Sequence, residues 1–402
     1  MRAGFGRRRG GRATRSPRGH GDPACRPGRR CGLPGQAGTV VGVNRSRARA
    51  PGKLLLIGEY AVLDGAPALV MAVDRYVDVR VESAREDSGR LSAPQLGIRK
   101  APMRIEADQL RCEGVDELAL GLTGRLVPAI LRALGRALDE ITTIDIEIDS
   151  AALFESDAGR PVKLGLGSSA AVCAALTVAL TDWFEASAGE PRPGERLRQW
   201  LPVYREALGA RASGADLAAA FYGGFGRFRS TGRVADCSPV TWPGNLYWRA
   251  VWTRQAAQTT DYVGAFDAWK RRDPAGASGL VARLNGIAAR ASASAEDGVE
   301  LFRACRAYAD ALAGLGEAMG SEIMTPPHRR LAELGQQCDV VYKSCGAGGG
   351  DLGIALALDP DSLGVFESGI ADCGGVPLNL AISDYGAGLA SRRLPEAGED
   401  NQ

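Results

Sequence analysis

A glycine- and serine-rich stretch, KLGLGSSAA at residues 163–171, precedes a long run of small apolar residues. The first N–H groups of a helix lack intrahelical acceptors and carry partial positive charge, so a helix beginning here can bind an anion. Gly165 and Gly167 allow close backbone approach to phosphates, while Ser168 and Ser169 can cap the helix or offer hydroxyls to a metal-bound nucleotide. No GK[ST] follows, which argues against a P-loop. On its own, the stretch is compatible with a capped helix or a phosphate-binding loop.

Two other segments carry side chains suited to proton and phosphoryl chemistry. Lys53 stands beside the apolar run KLLLI, and the chain continues into Glu59 and Tyr60. Asp216 lies among small residues that leave room for a substrate, and a carboxylate near a hydroxyl can act as a base. The alternatives are a lysine at the edge of a strand and an aspartate in a helical first turn, which the helix macrodipole favours. Neither segment decides between these interpretations alone.

A second glycine-rich segment, YKSCGAGGGDLGIALAL at residues 342–358, lies between two predicted strands. Gly346 and the run 348–350 place glycine at four of five consecutive positions. Such a concentration is entropically unfavourable unless another group approaches the backbone closely. A glycine-rich β-turn is the alternative, and Asp351 is then a turn residue or a polar contact.

Hydrophobic periodicity predicts strands and helices without regular βαβ repetition, so we expect an α+β fold. A chain of 402 residues favours two domains. We place their boundary near the loop SPVTWPGN, which predicts domains at 46–240 and 241–395. The predicted strands lie at 53–57, 76–82, 143–149, 248–254, 340–343, 353–358 and 377–383. The predicted helices lie at 118–138, 168–186, 196–210, 214–221, 260–271, 279–291, 299–319 and 328–335, with 168–186 inside its domain because it is apolar nearly all round.

The N-terminal 45 residues differ in composition from the rest of the chain. Residues 1–50 contain thirteen Arg and one Asp, whereas the remainder carries a net charge of −10. Few large apolar residues occur there, so we expect residues 1–45 to be disordered. The open interpretations are a nucleic-acid-binding arm, a transit peptide, or translated GC-rich upstream DNA with the true start near Val40–Val43.

Composition narrows the class of protein and its chemistry. The nine Cys residues show no CxxC pair and no signal-peptide core precedes them, which is typical of reduced thiols in a cytoplasmic protein. Only two histidines occur, His20 and His328, which argues against a histidine dyad or a histidine-rich metal site. No apolar run reaches 18 residues, so we expect no membrane span.

In combination, these segments resemble the GHMP small-molecule kinase superfamily. APGKLLLIGEYAVL (50–63) is similar to its first motif, GLGSSAA (165–171) to its phosphate-binding motif, and CGAGGGDLGIAL (345–356) to its third. The resemblance covers about residues 48–390. Within the superfamily, the motifs are most similar to those of phosphomevalonate kinases, although Ser344-Cys345 stands where those enzymes usually have Pro-Ser.

The resemblance implies a fold and an activity. It implies an N-terminal ATP-binding domain like ribosomal protein S5 domain 2 and a ferredoxin-like C-terminal domain. The implied reaction is Mg²⁺-assisted transfer of the γ-phosphoryl group of ATP to a small phosphorylated acceptor, phosphomevalonate, on the mevalonate route to isoprenoids. The alternatives are a mevalonate or sugar kinase, and a non-catalytic ligand-binding regulator. We expect a monomer or homodimer, with neither nucleic acid nor membrane bound by residues 46–402.

The resemblance also implies roles for particular residues. Asp216 would accept the proton of the acceptor hydroxyl and Lys53 would offset charge on its oxygen. Ser169 and Glu206 would hold Mg²⁺. The residues expected to bind ATP are Gly165, Leu166, Gly167, Ser168, Ser169 and Ala170. Those expected to bind the acceptor are Glu59, Tyr60, Ser213, Gly214, Lys343, Gly346, Ala347 and Gly348. The basic candidates for the phosphate of the acceptor are Arg75, Arg227, Arg254 and Lys343.

Overall fold

The computed structural model describes residues 45–390, except residues 87, 158, 186–189, 210–211, 232–233 and 256–258. The arginine-rich extension predicted at 1–45 therefore lies almost entirely outside the described residues, as does the end of the predicted second domain. The described chain mixes helices and strands without βαβ repetition, which confirms the predicted α+β class.

Fifteen strands and nine α-helices are formed by the described residues. The strands are β1 (Arg45–Ile57), β2 (Ala68–Ser83), β3 (Arg90–Ala93), β4 (Ile98–Glu106), β5 (Gln109–Cys112), β6 (Ile144–Asp149), β7 (Phe154–Asp157), β8 (Arg160–Lys163), β9 (Phe225–Thr231), β10 (Val234–Val240), β11 (Tyr247–Trp252), β12 (Val341–Ser344), β13 (Leu352–Ala357), β14 (Val376–Leu378) and β15 (Gly388–Leu389). The helices are α1 (Glu117–Ala133), α2 (Ser168–Phe184), α3 (Pro193–Leu208), α4 (Ala215–Tyr222), α5 (Thr259–Arg272), α6 (Pro274–Ala293), α7 (Gly298–Met319), α8 (Pro326–Gln337) and α9 (Pro360–Gly369).

The larger sheet is built from the N-terminal strands in the order β10-β9-β2-β6-β3-β4-β5, with β1 paired to β2. Its first strand begins with RSRARA, in which Ser46, Ala48 and Ala50 are buried while Arg45 is exposed. This alternation follows from the period of two in a strand, which turns successive side chains to opposite faces. Small residues on the inner face leave space for the helix that packs there.

Helix α2 occupies that space and contacts both β1 and β2. Its residues from Ala170 to Leu180 are buried, except for the partly buried Val172, which confirms the prediction of an internal helix. An all-round apolar surface suits this position because α1 and α4 cover the other sides of α2. The packing places the N-terminus of α2, with its glycine-serine stretch, next to β1.

The smaller sheet has the order β12-β13-β11-β14, and helices α5 to α9 belong to the same C-terminal part of the chain. The strand predicted at 377–383 is present only as β14, because the chain then leaves this sheet. It returns to the larger sheet, where Ile382 bridges to Val73 and β15 pairs with β1. The boundary predicted near residue 240 stays a prediction.

Several elements lie where none was predicted, namely strands β3, β4, β5, β7, β8, β9, β10 and β15 and helix α9. The hairpin of β9 and β10 closes one edge of the larger sheet. Helix α9 is short and is capped by Asp359, whose carboxylate accepts hydrogen bonds from the N–H groups of Asp361 and Ser362. Capping of this kind stabilises a short helix whose apolar periodicity is weak. Within the described ranges, no helix combines the length and the apolar character that crossing a membrane requires.

Candidate active site

Lys53 is held beside the predicted phosphate loop by a backbone hydrogen bond. Its N–H donates to the carbonyl of Leu166 at 2.8 Å, which ties β1 to the loop between β8 and α2. A Cβ added to Gly167 would lie 2.8 Å from both Cγ and Cε of Lys53. The lysine stem therefore crosses over this glycine, and among the described residues its ammonium has no ion-pair or hydrogen-bond partner.

The loop that precedes α2 provides an anion-binding helix terminus. Gly165 and Gly167 have φ angles of 79° and 74°, in the left-handed region that glycine tolerates. No side chain caps α2, and the N–H groups and hydroxyls of Ser168 and Ser169 have no partner within the described part of the chain. These unpaired donors, together with the helix dipole, favour a negatively charged ligand.

The glycines of this loop also make room for side chains from other parts of the chain. A Cβ on Gly165 would lie 2.5 Å from the Cβ of Asp351, just as one on Gly167 would meet Lys53. The sequence suggested that these glycines admit a phosphate. In the structure, the lack of a Cβ at each glycine leaves room for the side chains of Asp351 and Lys53. A lysine and a carboxylate are thereby brought to the same helix terminus.

Asp216 lies in the first turn of α4, behind the left-handed Gly214. Its Oδ2 accepts a hydrogen bond from the hydroxyl of Tyr204 at 3.0 Å, and its Oδ1 accepts one from the N–H of Leu217 at 2.9 Å. The charge of Asp216 also adds to burial in raising the pKa of Cys173, which lies in the second turn of α2. Asp216 and Lys53 therefore both border the N-terminal half of α2.

Ser213 and Gly214 shape the start of α4. The Oγ of Ser213 accepts a hydrogen bond from the N–H of Ala215 at 3.2 Å. A Cβ on Gly214 would lie 2.4 Å from Cδ1 of Leu201, so α3 packs directly on this turn. Ser213 and Gly214, both predicted to bind the acceptor, thus lie beside Asp216 and set the position of its helix.

Glu59 and Tyr60 connect the turn after β1 to the second glycine-rich loop. Glu59 is buried, and its Oε1 accepts a hydrogen bond from Nζ of Lys343 at 2.6 Å. The Tyr60 hydroxyl donates to the carbonyl of Ala347 at 2.5 Å. Burial alone would lower the pKa of Lys343, but the adjacent Glu59 carboxylate holds that pKa above its ordinary value. The ammonium therefore stays charged inside the protein.

The second glycine-rich loop is packed mainly against the protein itself. A Cβ on Gly348 would lie 2.6 Å from Cγ2 of Ile323, and one on Gly349 would lie 2.1 Å from the Tyr262 hydroxyl. Gly346 is different, because open space surrounds its Cβ position. Within this loop, Gly346 is therefore the position at which a ligand can approach the backbone.

Backbone strain is concentrated around these loops. Seven described residues other than glycine have positive φ, and three of them are Tyr60, Arg254 and Asp351. Thr253 joins Arg254 to the loop, since its N–H and hydroxyl donate to the Asp351 carbonyl at 2.9 and 3.0 Å. Residues held in sparsely populated conformations cluster at functional sites.

The structure requires two corrections to the predicted residue roles. Glu206 is exposed on α3 and lies 3.8 Å from Arg132, on a different face from the buried Tyr204 two residues earlier. A helix turns about 200° in two residues, so Glu206 does not face Asp216, and we withdraw it as a metal ligand. Lys343 has no exposed surface and donates to Glu59 and to the Ser344 carbonyl, so we withdraw it as a ligand of the acceptor.

The remaining basic candidates have different environments. Arg227 donates to the Ser292 carbonyl at 2.7 Å and so serves a structural contact. Arg254 is about half exposed and lies 3.8 Å from Asp157 in the β7–β8 hairpin that leads into the phosphate loop. Arg75 has no ion pair within the described ranges and lies where the pairing of β1 with β2 is interrupted.

Tyr204 and Asp351 were not among the predicted site residues. Tyr204 follows Leu197, Trp200 and Leu201 at helical spacing on the buried face of α3. That spacing predicts a buried phenol, which needs a hydrogen-bond partner. The sequence around Tyr204 does not show that this partner is Asp216 on another helix.

Comparisons with known proteins agree with this architecture. Residues 125–224 match the family model described as GHMP kinases N terminal domain. The chain is 30% identical to a phosphomevalonate kinase of Streptomyces sp. (strain CL190) over 339 residues, which cover 76% of this chain and 88% of that protein. It is 33% identical to a mevalonate kinase of Methanothermobacter thermautotrophicus over 193 residues, covering 47% of this chain and 52% of that one.

A solved structure gives the same result for the fold. The Streptococcus pneumoniae phosphomevalonate kinase, in complex with phosphomevalonate and AMPPNP, superposes with a TM-score of 0.65 at 22% identity. The match covers 84% of this chain and 99% of that one. The sequence similarity therefore extends over most of the Streptomyces phosphomevalonate kinase. The similarity in fold extends over nearly all of the Streptococcus pneumoniae phosphomevalonate kinase. The chain therefore belongs to the GHMP kinase family and is a phosphotransferase.

Proposed function

We propose that the chain transfers the γ-phosphoryl group of ATP to phosphomevalonate. The observation that carries the proposal is the arrangement around the N-terminus of α2. Lys53 lies against Gly167, the first N–H groups of the helix are unpaired, and Asp216 lies near the second turn. The relative that is similar over 88% of its own length is named a phosphomevalonate kinase, which supports this acceptor.

ATP would place its phosphates at the start of α2. The unpaired N–H groups of Ser168 and Ser169 supply donors, and the helix dipole supplies a favourable field. Lys53 adds a positive charge on the side of β1. An anion here thus meets donors and charge that the fold has already positioned, and electrostatic preorganisation of this kind lowers barriers in phosphoryl transfer.

Asp216 would act at the attacking oxygen of the acceptor. Phosphomevalonate already carries a phosphate on its primary oxygen, so the attacking atom is an oxygen of that phosphate and not the hydroxyl that the resemblance implied. In the proposed step, a bond forms between this phosphate oxygen and the γ-phosphorus while the bond to the bridging oxygen of ADP breaks. A proton carried by the phosphate passes to Asp216, ADP leaves with the electron pair of the broken bond, and the product is a diphosphate. Lys53 stabilises negative charge on the reacting oxygens. Positioning and charge neutralisation supply most of the catalysis in such transfers.

The residues at α2 also fit a bound Mg²⁺. Among the residues that the structure describes, the hydroxyls of Ser168 and Ser169 have no partner and can serve as oxygen ligands. Mg²⁺ prefers oxygen ligands, with several supplied by water and substrate phosphates. Ser169 is our candidate protein ligand. No group of three or more His, Cys, Asp or Glu side chains suited to a metal occurs among the described residues. When bound, Mg²⁺ would offset the charge of the phosphates.

The phosphate of the acceptor requires a basic partner near the phosphate loop. Arg254 has the best position, because its neighbour Thr253 is bonded to Asp351, whose side chain lies against Gly165. Its ion pair with Asp157 is long and partly exposed, so an anion can compete for the guanidinium. A phosphate offers the bidentate geometry that arginine recognises.

Mevalonate is the second candidate acceptor, because mevalonate kinases match part of this chain at 28–33% identity. The departure at Ser344-Cys345 does not favour it. Ser344 is fully buried, so the residue that replaces the usual proline faces the protein interior. A non-catalytic regulator has little need for a base and an unpaired lysine at one helix terminus.

The test is ADP release with phosphomevalonate, mevalonate and galactose as separate acceptors. We expect turnover with phosphomevalonate and a loss of about 10²–10⁴-fold in kcat for Asp216→Asn. Asp149→Asn, in the exposed end of β6, is the matched control and should retain activity. Turnover with mevalonate alone would assign the second acceptor. ADP binding without turnover of any acceptor would overturn the assignment in favour of a regulator.

A further inference from the structure

A buried tyrosine contacts the proposed base. Tyr204 lies on α3 with about 1% of its surface exposed, and its hydroxyl donates to Oδ2 of Asp216 at 3.0 Å. Its neighbours on the same helix face, Trp200 and Leu201, are also buried. The phenol is therefore held by packing on one side and by a carboxylate on the other.

The hydroxyl of Tyr204 is a permanent donor. Burial, and then the negative charge of Asp216, raise the pKa of Tyr204 well above its ordinary value. The phenol therefore keeps its proton at any working pH. Because Oδ1 is already bonded to the N–H of Leu217, the second donor fixes both oxygens of the carboxylate.

Two donors on one carboxylate restrict rotation about its Cβ–Cγ bond, so the remaining lone pairs keep one direction. The titratable groups that face Asp216 from the adjacent helices are Tyr204 on α3 and Cys173 on α2, and burial and Asp216 both raise the pKa of that thiol.

We propose that Tyr204 is a positioning residue, which keeps Asp216 directed at the attacking oxygen of the acceptor. The proposal rests on the proposed function, because it requires Asp216 to be the base. Tyr204 itself does not touch the substrate in this scheme. Its effect is transmitted through the hydrogen bond to Oδ2.

The test compares Tyr204→Phe with the wild-type chain. We expect kcat to fall by about 10-fold or more, the effect of losing one hydrogen bond to a charged group, while the KM for ATP changes less than 2-fold. A Tyr204→Phe variant of Asp216→Asn should show no further loss.

Tyr342→Phe is the matched control. Tyr342 is also a buried tyrosine, and its hydroxyl is bonded to Nδ1 of His328 at 2.9 Å. We expect it to lose similar stability and to retain its kcat. If Tyr204→Phe folds poorly, Tyr204→Met, which also lacks a donor, should show the same fall in kcat in its soluble fraction.

The outcomes separate this inference from the proposed function. If Asp216→Asn is inactive while Tyr204→Phe keeps its kcat, the positioning role is wrong and the role of Asp216 is retained. If Asp216→Asn remains active, the base assignment fails, and the inference fails with it. A lower melting temperature of Tyr204→Phe with unchanged kinetics also contradicts the inference.

Discussion

Nζ of Lys343 lies 2.6 Å from Oε1 of Glu59, and both side chains are buried. The pair joins the turn after β1 to the strand that leads into the second glycine-rich loop. The Tyr308 hydroxyl adds a hydrogen bond to the Glu59 carbonyl at 2.7 Å. Two segments that the sequence relates to ligand binding are thus held together by a charge pair inside the protein.

Removing one partner of this pair should be more harmful than removing both. Lys343→Met leaves Glu59 as an uncompensated buried carboxylate, which should lower the free energy of unfolding by about 3–5 kcal/mol. Glu59→Gln combined with Lys343→Met removes both charges and should recover part of the loss. Urea unfolding of the two single variants and the double variant measures this coupling, and additive losses would contradict it.

The same pair predicts the effect of alkaline pH. Because Glu59 holds the pKa of folded Lys343 above 10.5, the folded state binds its proton more tightly than the unfolded state. The contribution of the pair is therefore complete below pH 10.5 and is lost as pH rises through the folded pKa. The difference in unfolding free energy between the wild type and the double variant should therefore shrink as pH rises through that alkaline range.

Gly167→Ala should impair catalysis beyond its effect on stability. A Cβ at Gly167 would lie 2.8 Å from Cε of Lys53, so the ammonium would have to move. A displacement of about 1 Å in a reacting group can lower kcat about 10²-fold. Steady-state kinetics, with ATP and acceptor varied separately, measure the change.

Gly97→Ala provides the control for backbone strain. Gly97 has a φ of 75°, close to the 74° of Gly167, but nothing lies within 4 Å of its Cβ position. Both variants should lose about 1 kcal/mol of stability through positive φ. Only Gly167→Ala should lose activity, and equal activity in the two variants would show that Lys53 does not need this clearance.

Arg254→Ala should raise the KM for phosphomevalonate by about 10-fold or more and change the KM for ATP much less. The reason is the proposed contact with the phosphate of the acceptor. Arg303→Ala is the control, because Arg303 is an exposed arginine that pairs with Glu300 on α7. A larger effect on the KM for ATP than on that for the acceptor would assign Arg254 to the nucleotide.

His328 should make the protein less stable in acid. It is buried, with Nε2 donating to the Gly350 carbonyl at 3.1 Å and Nδ1 accepting from Tyr342. Burial lowers the pKa of His328 from 6.5 to about 4, so between these values the unfolded state binds more protons. The free energy of unfolding should therefore decrease by about 3 kcal/mol as pH falls from 6.5 to 4.

Urea unfolding at several pH values tests this effect against His328→Gln. The variant cannot titrate at this position, so its unfolding free energy should depend less steeply on pH between 6.5 and 4. Parallel pH dependence in the two proteins would show that other groups, such as carboxylates, determine the acid sensitivity.

Helices and turns that depend on residues close together in the chain could be predicted from the sequence. Glycines followed by serines and a long apolar run predict an internal helix that begins at Ser168, and α2 has this position. The helix predicted at 214–221 places Asp216 in its first turn, and α4 begins at Ala215. Helix caps, positive φ and burial patterns depend on neighbours a few residues away, so they can be read along the chain.

Only the tertiary structure decided which distant groups meet. Lys343 is a plausible phosphate ligand in the sequence, but its partner Glu59 is 284 residues away, and burial of the pair removes it from any ligand. Glu206 has suitable spacing from Asp216, but packing of α3 turns Tyr204 inward and leaves Glu206 in solvent. Which face of a helix is buried, and against which residue, depends on how all the elements pack together.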